Sequence, residues 1–158
     1  DGNAKHLSPL GYYRGQSWLA WRHGLTGIGF WTYCTSPEDP WFKSSVSPDY
    51  LMTYQGESVV STKRWEAVRD GVEDYSMLVV LRDQVAKMRS DSAKQGAVQK
   101  ADALLGERAS AIAKFCNNRD VAPTNTGMPG ARQQADEQWD AIQQMRRDIY
   151  QAISECSP

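Results

Sequence analysis

The chain reads as a mostly helical protein with one or two short strands in its first half, and three observations predict this. Apolar residues recur at helical spacing over most of the stretch after residue 61. One β-branched and aromatic run, Gly27-Ile28-Gly29-Phe30-Trp31-Thr32-Tyr33-Cys34, has the composition of a strand. The aromatic residues crowd into residues 1–75, while Phe115, Trp139 and Tyr150 alone lie beyond. That asymmetry predicts an aromatic-lined core or site first, with plainer helices packed around it.

The elements follow in order. Residues 13–23 read as a short helix, with Arg14, Trp18, Trp21 and Leu25 on one face at 4-3-4 spacing. Gly24 and Gly27 break that pattern, and the strand candidate follows, its glycines suggesting a closely packed run. Residues 35–49 gather Ser, Pro, Asp and Glu around Trp41 and Phe42, the composition of a loop with aromatic anchors. Residues 50–54 form a second short strand candidate, and Gln55-Gly56-Glu57-Ser58 a turn.

Ser61 or Thr62 is a suitable N-cap for a helix reaching Met88. Its apolar stripe is read through Trp65, Val68, Val72, Tyr75 and Val79, with Leu78, Leu81, Val85 and Met88 alongside. Gly71 lies inside this helix at a cost of about 1 kcal/mol relative to Ala, which a close approach by another backbone would explain. A second helix is expected over residues 93–116, with Ala97, Ala101, Leu104, Leu105, Ile112 and Phe115 inward. Residues 117–131 read as a turn-rich linker. The last helix spans residues 133–154 and buries Ala135, Trp139, Ile142, Met145, Ile149 and Ile153.

Composition excludes several functions. The formal charge of −1, from 18 basic and 19 acidic side chains in 158 residues, leaves no basic field to hold nucleic acid or an anionic membrane. No apolar run approaches the roughly 18 residues a membrane span needs. Cys34, Cys116 and Cys156 are far apart and form no C-x-x-C. They are read as buried thiols in preference to one disulfide with a thiol left over. With His6 and His23 as the only histidines, no metal site and no cofactor are expected. No phosphate loop, dinucleotide fingerprint or nucleophile elbow is present. The chain opens at Asp1 with neither an initiator Met nor a charged-then-apolar leader, so a mature product or a fragment is expected, and its compartment stays open.

Candidate chemistry gathers around the Trp31 strand. Ligands of parallel α/β sheets meet residues at strand ends and in the loops that follow. Alternation sets Trp31 and Tyr33 on one face, opposite Phe30, Thr32 and Cys34. Exposed indole and phenol faces there suit the C–H face of a sugar ring; the alternative is that both rings fill the core. Three adjacent acid pairs stand out for glycoside chemistry, Glu38-Asp39, Glu73-Asp74 and Asp136-Glu137. The two helical pairs are expected to be solvated surface, and Glu38-Asp39 a solvated loop that could border a pocket mouth. On the charged helix Arg69 can pair with Glu66 or Glu73, a network expected to pin the helix to a sheet edge.

The order W-x-x-W-x-x-G-x-x-G-I-G-F-W (Trp18 to Trp31), Y-Q-G (Tyr54 to Gly56) and S-T-K-R-W-E-A-V-R-D-G-V-E-D-Y (Ser61 to Tyr75) resembles the C-terminal stretch of the catalytic domain in glycoside hydrolase family 123 and its relatives, the domain of unknown function numbered 4091. The resemblance covers roughly residues 12–85; the later helices match only in character. It implies α/β parentage: the C-terminal portion of a TIM-like (β/α)8 barrel, mostly α in this chain, one or two short strands followed by three long helices. Residues 1–90 would be the last units of the barrel, and 91–158 the helices closing it. A complete barrel needs roughly 250 residues.

The family's characterised members are β-N-acetylgalactosaminidases thought to work by substrate-assisted catalysis, with an Asp-Glu pair on an earlier strand. That pair would lie upstream of this chain, so no catalytic residue is assigned here. The resemblance implies Trp31 as a sugar-stacking wall, with Tyr33, Tyr54 and Trp41 as further substrate-binding candidates. It implies a carbohydrate partner, the N-terminal remainder of the barrel, association of the isolated chain through uncovered surfaces, and a secreted or periplasmic setting. A reading from a different class is a non-catalytic helical interaction or carbohydrate-binding module.

Overall fold

A computed structural model describes residues 9–30, 33, 52–55, 57–117 and 129–156. Helix α1 (Pro9–Arg22) is followed by a hairpin of β1 (Thr53–Gln55) and β2 (Val59–Ser61), then by the long α2 (Lys63–Met88). A single 3-10 turn (Ser92–Lys94) leads into α3 (Gln95–Ala103), a π turn (Leu104–Arg108) and α4 (Ala109–Cys116), and α5 (Pro129–Glu155) follows. The protein is mostly helical, as the sequence predicts.

Helix α1 is the central element. Tyr13, Arg14, Ser17, Trp18 and Ala20 are all buried, and α2, α4 and α5 pack on it. Its C-terminal end is sharp because Gly24 adopts φ 65°, letting the Leu25 amide reach the Ala20 carbonyl at 2.9 Å and the Gly24 amide reach Trp21 at 3.1 Å. This left-handed glycine cap satisfies carbonyls that the last helical turn leaves open. It also swings Leu25 off the helix: the residue is half exposed, no longer on the face of Arg14 and Trp18 that its spacing suggested.

Thr62 caps α2 in extended geometry (φ −90°, ψ 164°), its hydroxyl accepting from the Trp65 amide at 3.2 Å. The cap and the end at Met88 agree with the sequence. The buried stripe agrees in part: Leu78, Leu81 and Val85 are buried as expected, preceded at 4-3-4 spacing by Ala67, Gly71 and Asp74, while Trp65 and Val72 of the expected stripe face outward. Two of those inward positions hold Gly and Asp, so hydrophobicity alone misplaces the first half of the stripe. At Gly71 an added Cβ would lie 2.6 Å from the Arg14 carbonyl oxygen and 2.9 Å from Ser17 Oγ. The glycine is therefore the contact point at which α1 and α2 cross, as its mid-helix position suggested.

In α3 and α4 the buried positions are Val98, Ala101, Leu104, Ala109, Ala113 and Cys116. The five-residue step from Leu104 to Ala109 falls on the π turn, which shifts the inward face along the helix. Trp21 Nε1 donates to the Leu105 carbonyl at 2.8 Å there, tying α1 to the turn. Phe115 is only half-buried. On α5, Ile142, Met145, Ile149 and Ala152 enter the core, whereas Trp139 and Ile153 are half-buried and the side chain of Ala135 lies outside the described set. Cys116 and Cys156 are buried thiols, and Cys34 lies outside the described residues.

Of the expected strand over residues 27–34, residues 27–30 have no ladder partner among the described residues, Tyr33 accepts a backbone bond from the Thr53 amide at 3.0 Å, and residues 31, 32 and 34 lie outside the described residues. Phe30 instead packs against Tyr13 in a small second core with Met52 and Ala67, the ring centroids of Phe30 and Tyr13 lying 5.2 Å apart. The sheet among the described residues is the antiparallel hairpin, in register Thr53 to Ser61, Tyr54 to Val60 and Gln55 to Val59.

Candidate functional site

Two side-chain clusters stand out, one sealed and one open. The sealed cluster centres on Asp74, whose side chain is 1% exposed. Arg14 grips it with two parallel bonds, Nε to Oδ2 at 2.7 Å and Nη2 to Oδ1 at 2.9 Å. Trp18 Nε1 donates to Oδ2 at 3.2 Å, and Arg146 of α5 approaches Oδ1 at 3.5 Å. Arg146 also bonds Glu73 at 3.1 Å, so one arginine bridges neighbouring acids. The third guanidinium nitrogen of Arg14, Nη1, has no hydrogen-bond acceptor among the described residues, but the guanidinium lies 4.8 Å from the centre of the Trp139 ring. The electron-rich ring face takes the place of an acceptor there.

Burial pushes the Asp74 carboxyl above its usual range, against the pull of Arg14, Trp18 and Arg146. Burial likewise pushes the nearby Cys116 thiol up to about 12, so it stays protonated and inert at neutral pH. Asp74 was expected on the solvated face; it is instead the bolt joining α1, α2 and α5. The charged helix is thus pinned to two other helices instead of to a sheet edge. Outside the bolt, Arg69 bonds Glu66 at 2.6 Å and lies 4.0 Å from Glu73 on the exposed surface, the pairing its spacing allowed. A carboxylate this enclosed reaches no substrate, so the cluster holds the fold and does not act on a ligand.

The open cluster lies where the chain after α1 meets the hairpin. Tyr33 is 52% exposed and Trp65 is 42% exposed, with ring centroids 6.2 Å apart and planes at 82°. Their backbones are held by one continuous set of bonds. The Tyr33 carbonyl accepts from the Thr53 amide and from Thr53 Oγ1, both at 3.0 Å. Thr53 pairs with Ser61 across the hairpin, and the Thr62 amide and hydroxyl both donate to the Met52 carbonyl. The same hydroxyl caps Trp65. Aromatic pairs at right angles are a favoured arrangement, and here the two rings form a corner that remains partly open to solvent.

Of the four substrate-binding candidates, Tyr33 is in this corner and Tyr54 is half-buried on β1. Trp31 and Trp41 lie outside the described residues, as does the acid pair Glu38-Asp39. Asp136 and Glu137 are exposed on α5. Trp65 was missed as a surface aromatic because it was counted into an apolar stripe; its position three residues after an N-cap, ahead of the buried series, was the available signal.

A separate apolar groove of about 200 Å³ is lined by Ser17, Ala20, Leu25, Ile28, Val72 and Tyr75. Tyr75 Oη donates to the Leu25 carbonyl at 3.1 Å and fixes its rim. Among the described residues no group of three or more His, Cys, Asp or Glu side chains is placed to hold a metal ion, and no helix is long and apolar enough to cross a membrane.

No family model, curated protein or solved structure matches this chain. Function must therefore be argued from the residues and from where the fold puts them.

Proposed function

We propose that the chain is the C-terminal part of a glycoside hydrolase-like protein of TIM-barrel type acting on glycans, N-acetylhexosaminides being the class its motif implies. It contributes a carbohydrate-facing aromatic rim and a helical scaffold. The catalytic acids and the attacking 2-acetamido group come from elsewhere, the former from sequence upstream and the latter from the substrate. The observation that carries the reading is Tyr33: a residue assigned to sugar contact from sequence is half exposed on a backbone clamped to the element leading into α2. Clamped, exposed rings lose little freedom on binding, which favours stacking on a sugar face.

Saturation-transfer NMR of the 158-residue chain with β-linked N-acetylhexosamine oligosaccharides tests this. Saturable transfer to the sugar ring protons, with a Kd of roughly 1 mM or tighter, is expected. Absence of transfer at that concentration overturns the reading.

A second reading is an interaction module, and the groove beside Val72 favours it. Leu25, Ile28 and Val72 are all exposed around that groove. A chain that unfolds cooperatively and ignores sugars would fit this reading and contradict the first.

A further inference from the structure

We propose that Trp65 is a sugar-contacting residue, forming with Tyr33 the two walls of a corner that takes one pyranose ring. This rests on the glycan reading above and adds to it a residue that the sequence placed in the core.

Three features of the corner point to a small amphipathic ligand. First, the rings are perpendicular, so a flat ligand stacked on one ring turns its own edge towards the other. A sugar has this shape: apolar C–H groups on a ring face, hydroxyls around its rim. Second, the apolar area is bounded by charge. Trp65 is flanked on α2 by exposed Lys63 and by Glu66, which is itself held by Arg69 at 2.6 Å. A protein helix would need a longer uncharged face, whereas sugar hydroxyls match charged and polar neighbours. Third, the corner is built in advance. Ala67 and Val68, just beyond Trp65, anchor this end of α2 in the second core with Tyr13 and Met52, and the Thr62 cap fixes the Trp65 backbone. Trp65 lies off the helical phase of the inward series Ala67, Gly71 and Asp74, which leaves its ring 42% exposed.

The test compares Trp65→Ala, Trp65→Leu and Trp65→Phe in the full chain, using a β-N-acetylhexosamine disaccharide as probe and calorimetric or NMR titration as readout. Urea unfolding checks that each variant keeps the wild-type midpoint. The Ala and Leu variants should bind about tenfold more weakly, since both lose the flat ring, while Phe should stay within about threefold. Val72→Ala, in the separate groove, should bind as wild type. If the chain binds the disaccharide and Trp65→Ala binds it equally well, the corner is wrong and the glycan reading survives. A loss in Val72→Ala as large as that in Trp65→Ala moves the ligand to the groove and also overturns the corner. No binding by the wild-type chain overturns both proposals.

Discussion

The Arg14–Asp74 bolt and the Tyr33–Trp65 corner invert the usual placement of residues. Full charges are sealed between three helices, while two large aromatic rings, Trp65 in the first turn of α2 and Tyr33 beside it, stand half in water. Asp74 and Trp65 come from the segment with the densest motif, Ser61 to Tyr75, while their partners Arg14 and Tyr33 lie outside it. The difference teaches that buried charge in this motif serves the fold, and the exposed rings are the surface we propose for a ligand. A carboxylate held by two hydrogen bonds from Arg14 and one from Trp18 is compensated well enough to be buried. The Trp65 indole, off the phase of the inward series, meets the Tyr33 ring and stays 42% exposed.

The contrast breaks most visibly at Asp74. Asp74→Ala leaves Arg14 buried and uncompensated, and a loss of about 3–5 kcal/mol is expected in urea unfolding. Replacing both partners with apolar residues, Arg14→Met with Asp74→Leu, should recover most of that loss, because no unpaired charge remains. A double variant as unstable as the single one would show that the pair contributes more than neutralisation.

Next in size is the helix crossing. Gly71→Ala should cost about 1–3 kcal/mol, since the new methyl collides with the Arg14 carbonyl and outweighs the better helix propensity of Ala. Gly96→Ala on α3 meets no atom within 4 Å, and should be neutral or mildly stabilising. Equal effects at the two sites would contradict the crossing geometry.

The hairpin end offers a smaller change. Thr62→Ala removes the cap of α2 and the bond to Met52, and about 1 kcal/mol of stability is expected to go with them. The same substitution should loosen Trp65, so faster exchange of its amide than in wild type checks the link between cap and corner.

The smallest effect sits at Asp148, where Arg108 and Gln144 bond the carboxylate. Burial raises its pKa, but those two bonds outweigh burial and hold it below the usual value. Its folded pKa is lowered, so its stabilisation is complete above the unfolded value near 3.9 and is lost as pH falls through the folded one. Asp148→Asn should cost about 0.5 kcal/mol at pH 7, with the difference from wild type closing in acid. Asp74 has the opposite sign: its raised folded pKa favours the fold below the unfolded value, and that contribution declines as pH rises through the folded one. Urea titrations of the two proteins across pH 2–7 read the closing gap.

Much of the fold was legible in the sequence because it is locally encoded. Thr62 and Met88 bound α2 through a cap and a period, and Gly71 announced a close approach because glycine inside a helix needs a reason. The bolt was not legible, since Arg14 and Asp74 are sixty residues apart and nothing local pairs them. For the same reason the first half of the inward series of α2 was misplaced: a buried Asp and Gly look polar and empty until their partners are known. Residues 27–30 carried strand composition, but among the described residues they have no ladder partner. Tyr33 was singled out through the resemblance, with core packing as the other reading, and its sugar contact stays a proposal; Trp65 beside it was not singled out, because an indole at helical spacing reads as core.

The most direct test of the sealed-and-open contrast is the indole N–H spectrum of the chain titrated with a β-N-acetylhexosamine disaccharide. The Trp65 resonance should move saturably while the Trp18 resonance, bonded to Asp74, stays in place. A fixed Trp65 resonance, or movement of Trp18 in its stead, would contradict the assignment of the aromatic corner as the ligand-facing end of the molecule.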